Sequence, residues 1–258
     1  MKVIIVIEKY GGFCNRLFQS LHYHAYALEK DIKILNPSML GLLKFDNNLF
    51  YFFDRINNFI LKCLIKSLKL FFGKDEVCFY MNETNFIKFV TGWNYRQYKL
   101  TAKHHEVLKN IYSFDKRFLS RKSNSLKEFL INQKSKGKYI IGVHIRRGDY
   151  KEWNKGKYYF EDVFYKDIIT SLREKLIKDS KKPYFVIVSN EKKMIDIEAD
   201  YFSEGSWKDD QIILQSCDLI VGPPSTFSMW ASYISKIPLI ELNSNINKKL
   251  LNAKVCKG

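Results

Sequence analysis

Proline and glycine are sparse in this 258-residue chain, at 5 and 12 residues, and no Gly/Ser-rich stretch interrupts it. A long flexible linker is thereby excluded, so two domains, if present, pack closely or share a short hinge. Uncharged apolar runs are short, and none reaches the roughly 18 residues of a membrane span. The cysteines, Cys14, Cys63, Cys78, Cys217 and Cys256, are odd in number and none lies at metal-ligand spacing from another. They read as free thiols in a reducing, cytoplasmic compartment. The start, Met1 to Glu8, is apolar for only five residues before Glu8 and Lys9. That is too short for a secretory core and fits a first buried strand. Negative charge is scarce too: 27 acidic against 43 basic residues leave a net charge of +16. Such a field attracts nucleic acid, an acidic membrane surface or phosphorylated substrates, and does not choose among them. The sequence has no nucleic-acid module pattern and its aromatics sit mostly within apolar runs, which argues against a nucleic-acid partner.

What the chain does have is apolar material: 46% hydrophobic and 16% aromatic residues, enough to bury a core and to exclude disorder. Its length suits one large domain or two small ones. The first half opens with a strand over 2–7, a Gly11-Gly12 turn and a helix over about 15–30 whose buried face is Leu17, Leu21, Ala25 and Leu28. A short strand over 32–35 completes a β-loop-α-β unit, the seed of a parallel sheet. Residues 49–72 carry Arg55, Asn58, Lys62, Lys66 and Lys69 as one basic stripe on an otherwise apolar helix. Such a stripe suits a peripheral membrane contact through residues 50–72, and equally a core helix with one wet edge. Helices are expected within 107–129, and the Lys-rich loop 135–138 marks a domain boundary, giving units 1–138 and 139–258.

The second half repeats the strand-loop-helix order. Strands are expected over 139–145, 184–189, 219–222 and 239–242, with helices over 163–177, 210–216 and 227–235. The fold class is therefore α/β, and ligands are expected beyond the carboxyl ends of the strands. Two such halves facing each other make a cleft.

Three segments carry chemistry. His144-Ile-Arg-Arg-Gly-Asp149 stands where strand 139–145 ends. Arginines there present planar donors matched to phosphate oxygens, as a nucleotide diphosphate leaving group requires. Asp149 either orients an arginine or contacts the ligand. In Gly222-Pro-Pro-Ser-Thr-Phe-Ser-Met-Trp230, Ser225 or Thr226 caps the following helix, whose free N–H groups suit an anion; capping alone also explains them. Gly11-Gly12-Phe-Cys-Asn-Arg16 lets the backbone approach a ligand, but it is neither a dinucleotide fingerprint nor a P-loop, and a plain turn explains it as well. Asp209-Asp210, Asp196-Ile-Glu198 and Glu198-Ala-Asp200 resemble acidic metal motifs. They are read instead as helix-surface carboxylates or, for Asp210, a hydrogen-bond acceptor. His104-His105 reads as structural.

These segments, in this order, resemble the α-1,2-fucosyltransferase family. That family carries Gly-Gly-x-x-Asn-Gln-x-x-Gln near its start; here Gly11, Gly12, Asn15 and Gln19 match and Arg16 replaces the usual Gln. His-x-Arg-Arg-Gly-Asp-Tyr is matched in full by residues 144–150. A late Asp-x-x-x-Leu-x-x-Cys segment followed by Ser-Thr-Phe-x-x-Trp is matched by Asp210, Leu214, Cys217, Ser225, Thr226, Phe227 and Trp230. The likeness covers 10–19 and 139–243; residues 36–138 match nothing.

The resemblance implies a GT-B-like fold of two Rossmann-type halves, GDP-fucose as donor, inversion at the anomeric centre and no metal. Arg146 would be the chief diphosphate cation with Arg147 in support. His144 and Asp210 would lie near the nucleotide, and Ser225, Thr226 and Phe227 near phosphate oxygens. Gly12 and Asn15 would face fucose and acceptor. Asp149 and Glu152 are candidates for the base. The implied acceptor is a glycan or lipid-linked oligosaccharide, with galactose O2 as the linkage, made on the cytoplasmic side of the membrane.

Overall fold

The computed structural model describes residues 2–6, 10–36, 63, 67, 87–90, 93–113, 121–191, 197–243 and 252–258. Of the basic stretch 49–72, only Cys63 and Ser67 fall among them. The rest of that stretch, Asp196 and Cys78 lie outside the described residues. The chain divides into two compact units, 1–118 with 257–258, and 119–256.

In the first unit β1 (Val3–Val6) leads through Gly11-Gly12 into α1 (Phe13–Glu29), then β2 (Lys33–Leu35) and β3 (Ile87–Val90). The three strands form a parallel sheet in the order β2-β1-β3. Leu17, Leu21 and Ala25 are fully buried on α1, as their spacing requires. The core gathers Ile4, Val6, Tyr23, Tyr26, Val90 and Tyr95. Two short helices follow, α2 (Tyr98–Lys103) and α3 (His105–Tyr112). His104 pairs with Glu29 at 2.8 Å and His105 with Glu106 at 3.1 Å, so both histidines serve the structure.

The second unit opens with α4 (Arg121–Ser135), ahead of β4 (Lys138–Ile145), α5 (Asp162–Lys178), β5 (Lys182–Ser189) and β6 (Tyr201–Phe202). Then come α6 (Trp207–Gln215), β7 (Leu219–Gly222), α7 (Thr226–Ser235), β8 (Pro238–Glu241) and β9 (Lys254–Val255). The sheet order is β6-β5-β4-β7-β8-β9, parallel except for β9. The break between units falls after Phe118, about one helix earlier than the boundary expected at 138. The reason is packing: Leu126 and Leu130 of α4 belong to the core formed by β4, β5, α6 and α7. Lys134 also holds Asp218 at 2.7 Å across that interface.

β4 is covered on both faces, the usual condition of a central parallel strand. Ile141, Val143 and Ile145 pack with Tyr165, Ile168, Leu172 and Leu176 of α5. Ile140 faces the opposite layer of α4, α6 and α7, and by alternation Gly142 and His144 share its side. Strands after β4 run first to one side, through β5 and β6, and then to the other, through β7 and β8. The loops leaving β4 and β7 therefore diverge, which opens a crevice at their carboxyl ends. Both chemistry-bearing segments of the second half lie at these two strand ends.

Candidate active site

The end of β4 is shaped by small residues beneath it. A Cβ on Gly142 would stand 2.8 Å from both Cys217 Sγ and Leu214 Cδ2, so α6 rests directly on the strand backbone. A Cβ on Gly222 would stand 3.0 Å from His144 Cβ, so β7 closes equally tightly on the next inward residue. His144 is buried, and its ring centroid lies 5.2 Å from that of Phe227 in the first turn of α7. Burial, reinforced by the charge of Arg146, lowers its pKa to about 3, so the ring is neutral throughout the physiological range. Its Nδ1 is buried without a hydrogen-bond partner, an orphaned polar atom in the ring that lies against Phe227.

The two arginines diverge. Arg146 is half-buried and holds Asp149, with Nη2 at 2.8 Å from Oδ1 and 3.0 Å from Oδ2. Its guanidinium also lies 5.3 Å from the Tyr150 ring centroid. Arg147 turns inward. Its guanidinium donates to the Phe160 carbonyl and to the Asp162 carboxylate, between the rings of Tyr159 and Tyr165. Its backbone is clamped by Asn190, which accepts from Arg147 N–H at 2.7 Å and donates to its carbonyl at 3.2 Å. Arg147 thus fixes the loop that carries Arg146, and its cation is not placed beside that of Arg146.

Across the crevice Ser225 caps α7, its hydroxyl accepting the Phe227 N–H at 3.3 Å. Thr226 and Phe227 are half-buried in the first turn. Tyr150 ties the two segments together: its hydroxyl donates to the Pro224 carbonyl at 2.8 Å and meets that of Ser225. From sequence this tyrosine had no legible role beyond membership of the motif, because its partner lies 74 residues away. Gln211, also unremarked in the sequence, is fully buried and donates to the Phe227 carbonyl at 2.7 Å, anchoring α7 to α6.

The acidic pair of α6 is buried, which corrects the helix-surface reading for Asp209. With Ser206 it forms a capping box, and its carboxylate also accepts from Ser123. Asp210 is an acceptor, as expected, for the Ser203 hydroxyl. Among the described residues no group of three or more His, Cys, Asp or Glu side chains has metal-binding geometry.

In the first unit, Gly11 takes a left-handed φ of +52° and the Asn15 side chain folds against it, 2.4 Å from where a Cβ would stand. A side chain there would be strained in φ and would have to displace Asn15, so the turn is more constrained than its sequence alone required. Gly12 is exposed at the N-cap of α1 without a side-chain cap.

Residues 68–253 match the family described as Glycosyl transferase family 11. No curated protein sequence matches the chain. Among solved structures, NodZ alpha-1,6-fucosyltransferase soaked with GDP-fucose is similar, with TM-score 0.56 at 10% identity, covering 98% of each chain. Fucosyltransferase NodZ from Bradyrhizobium gives 0.55 at 12% identity, covering 96% of this chain and 98% of its own. A mutant of Arabidopsis thaliana FUT1 in complex with GDP gives 0.52 at 13% identity, covering 96% of this chain and 71% of its own. At such identities the likeness concerns the fold, which is α/β of the GT-B kind with Rossmann-type units.

Proposed function

The chain belongs to glycosyl transferase family 11, and from that premise we propose that it moves L-fucose from GDP-fucose, with inversion, to a glycan hydroxyl, galactose O2 above all. The observation that carries this reading is that Tyr150 joins the β4 loop, which bears Arg146, to the β7 loop that leads into α7, at the switch point of the sheet. The neighbouring folds bound to GDP-fucose or GDP support the choice of donor.

The acceptor hydroxyl attacks the anomeric carbon, the sugar–phosphate bond breaks, and negative charge gathers on the departing diphosphate. Arg146 offers a planar, permanently charged partner for that oxyanion. On this reading it does the work a divalent metal does elsewhere, and no metal is needed. Asp149 holds Arg146 with both oxygens in range, which fits an orienting carboxylate better than a base, because the guanidinium already engages both oxygens. The first turn of α7, with Ser225, Thr226 and Phe227, receives the phosphates from the other side, and neutral His144 lies beneath them. Asp210 supports α6 near the nucleotide, and Arg147 acts by rigidity. A lipid-linked oligosaccharide on the cytoplasmic face of the membrane is the acceptor best suited to the basic stripe in 49–72.

The test is thermal. GDP and GDP-fucose raise the melting temperature of the purified chain and UDP does not, by the mass-action stabilisation of any ligand that binds only the folded state. A shift with UDP or CMP in place of GDP refutes the donor assignment.

A further inference from the structure

We propose that Trp153 is the platform on which the acceptor sugar stacks, a specificity-determining residue for a β-galactoside; this rests on the donor reading above. Trp153 keeps 47% of its surface exposed although it sits in an aromatic cluster. Its ring lies 4.8 Å from that of Tyr150 and 5.4 Å from that of Tyr158, inclined by about thirty degrees to each. Tyr150 is the ring that also carries the Arg146 guanidinium at 5.3 Å. The indole and the leaving-group cation thus both lie against one buried tyrosine.

The backbone is built to present this side chain. Asn154 (φ 50°, ψ 41°), Lys155 (φ 57°, ψ 35°) and Gly156 (φ 72°) are left-handed in succession. Two of the three are not glycine, and such conformations are costly and persist where surrounding structure fixes them for a purpose. Here the chain turns back so tightly that a Cβ on Gly156 would stand 3.0 Å from the Lys151 carbonyl. Lys155 N–H bonds to the Glu152 carbonyl at 3.0 Å, and Tyr159 N–H to that of Gly156 at the same distance. Trp153 is thus a large aromatic ring open to water, carried on a turn of left-handed residues beside a charged site.

The chemistry of the occupant follows. An indole face attracts the polarised C–H groups of a pyranose, and the axial O4 of galactose leaves H3, H4 and H5 together on one apolar face. A sugar stacked through that face keeps the O2 edge free to meet the anomeric carbon of the donor. Two lysines of the loop lie over neighbouring tyrosine rings, Lys151 over Tyr159 and Lys157 over Tyr158.

The experiment uses the whole chain with GDP present and methyl β-D-galactoside as probe. Saturation-transfer NMR is expected to light H3, H4 and H5 of the probe in the wild type. The signal disappears in Trp153→Ala and returns in large part in Trp153→Phe. In fucosyl transfer to the same probe, Trp153→Ala raises the acceptor KM at least tenfold and leaves the GDP-fucose KM and the GDP melting shift unchanged. A wild type without saturation transfer, or a Trp153→Ala protein that retains it, overturns the platform. Loss of the GDP melting shift in the wild type instead refutes the donor reading, so the two failures are told apart.

Discussion

Two adjacent arginines of identical chemistry are given opposite work by their surroundings. Arg146 is held by an exposed carboxylate and remains available to solvent, whereas Arg147 is buried against Phe160 and Asp162. Substituting them therefore separates catalysis from stability. Arg146→Ala is expected to lower kcat by about 10²–10³, the usual loss when one donor to a developing oxyanion is removed. The unfolding free energy should change by less than about 1 kcal/mol, since an exposed pair contributes little. Arg146→Lys should recover little activity, because an ammonium cannot reproduce the planar fork. Arg147→Ala should cost about 3 kcal/mol of stability, near the low end for breaking a buried pair, because Asp162 keeps a third of its side chain exposed to water. Urea unfolding and steady-state kinetics on the two variants check the contrast. An Arg147→Ala protein of normal stability would show that its buried contacts contribute nothing.

At the scale of elements, the active-site loops are set by how closely α6 lies on β4. Gly142→Ala pushes a methyl group into Cys217 and Leu214, an overpacking that costs about 1–3 kcal/mol. Combined with Cys217→Ala, the penalty should fall short of the sum of the single changes by about 0.5 kcal/mol or more, since the two side chains compete for one space. Strict additivity in urea titrations would argue against the close approach. The same elements show how far a sequence can be read. β4, β5 and β7 announce themselves by the apolar stretches 139–143, 184–188 and 219–221, because a central parallel strand is buried on both faces. β3 does not, since Lys88 interrupts its four residues, and α2 is six residues without an apolar period. The strand ends located Arg146 and the α7 cap correctly, because strand-loop-helix order is local. The different fates of Arg146 and Arg147 were hidden, because they depend on carbonyl and carboxylate partners 13 and 15 residues further on. For the same reason α4 could not be assigned to its unit: its amphipathic face is plain, but the sheet that accepts it is known only from the fold.

For the molecule as a whole, each unit carries one deeply buried histidine whose pKa is lowered to about 3, His22 in the first and His144 in the second. Burial is the main cause in both, and Arg96 adds to it for His22 as Arg146 does for His144. His22 Nδ1 accepts the Gln97 N–H at 3.0 Å, a bond that protonation at that nitrogen would destroy. The unfolded chain binds these protons near pH 6.5 and the folded chain does not, so the unfolded state holds more protons between about pH 3 and 6.5. The stabilisation is complete above pH 6.5 and is lost progressively as the pH falls toward 3. At pH 5 each histidine should have removed about 2 kcal/mol relative to pH 8. Because the two lie in different units, acid should weaken both units. Unfolding in urea at pH 8 and pH 5 measures the loss, and a His144→Gln or His22→Gln variant should reduce it by about 2 kcal/mol, with the background titration of the carboxylates common to both proteins. A pH dependence undiminished in both variants would mean that these rings take up protons in the folded state as readily as in the unfolded chain.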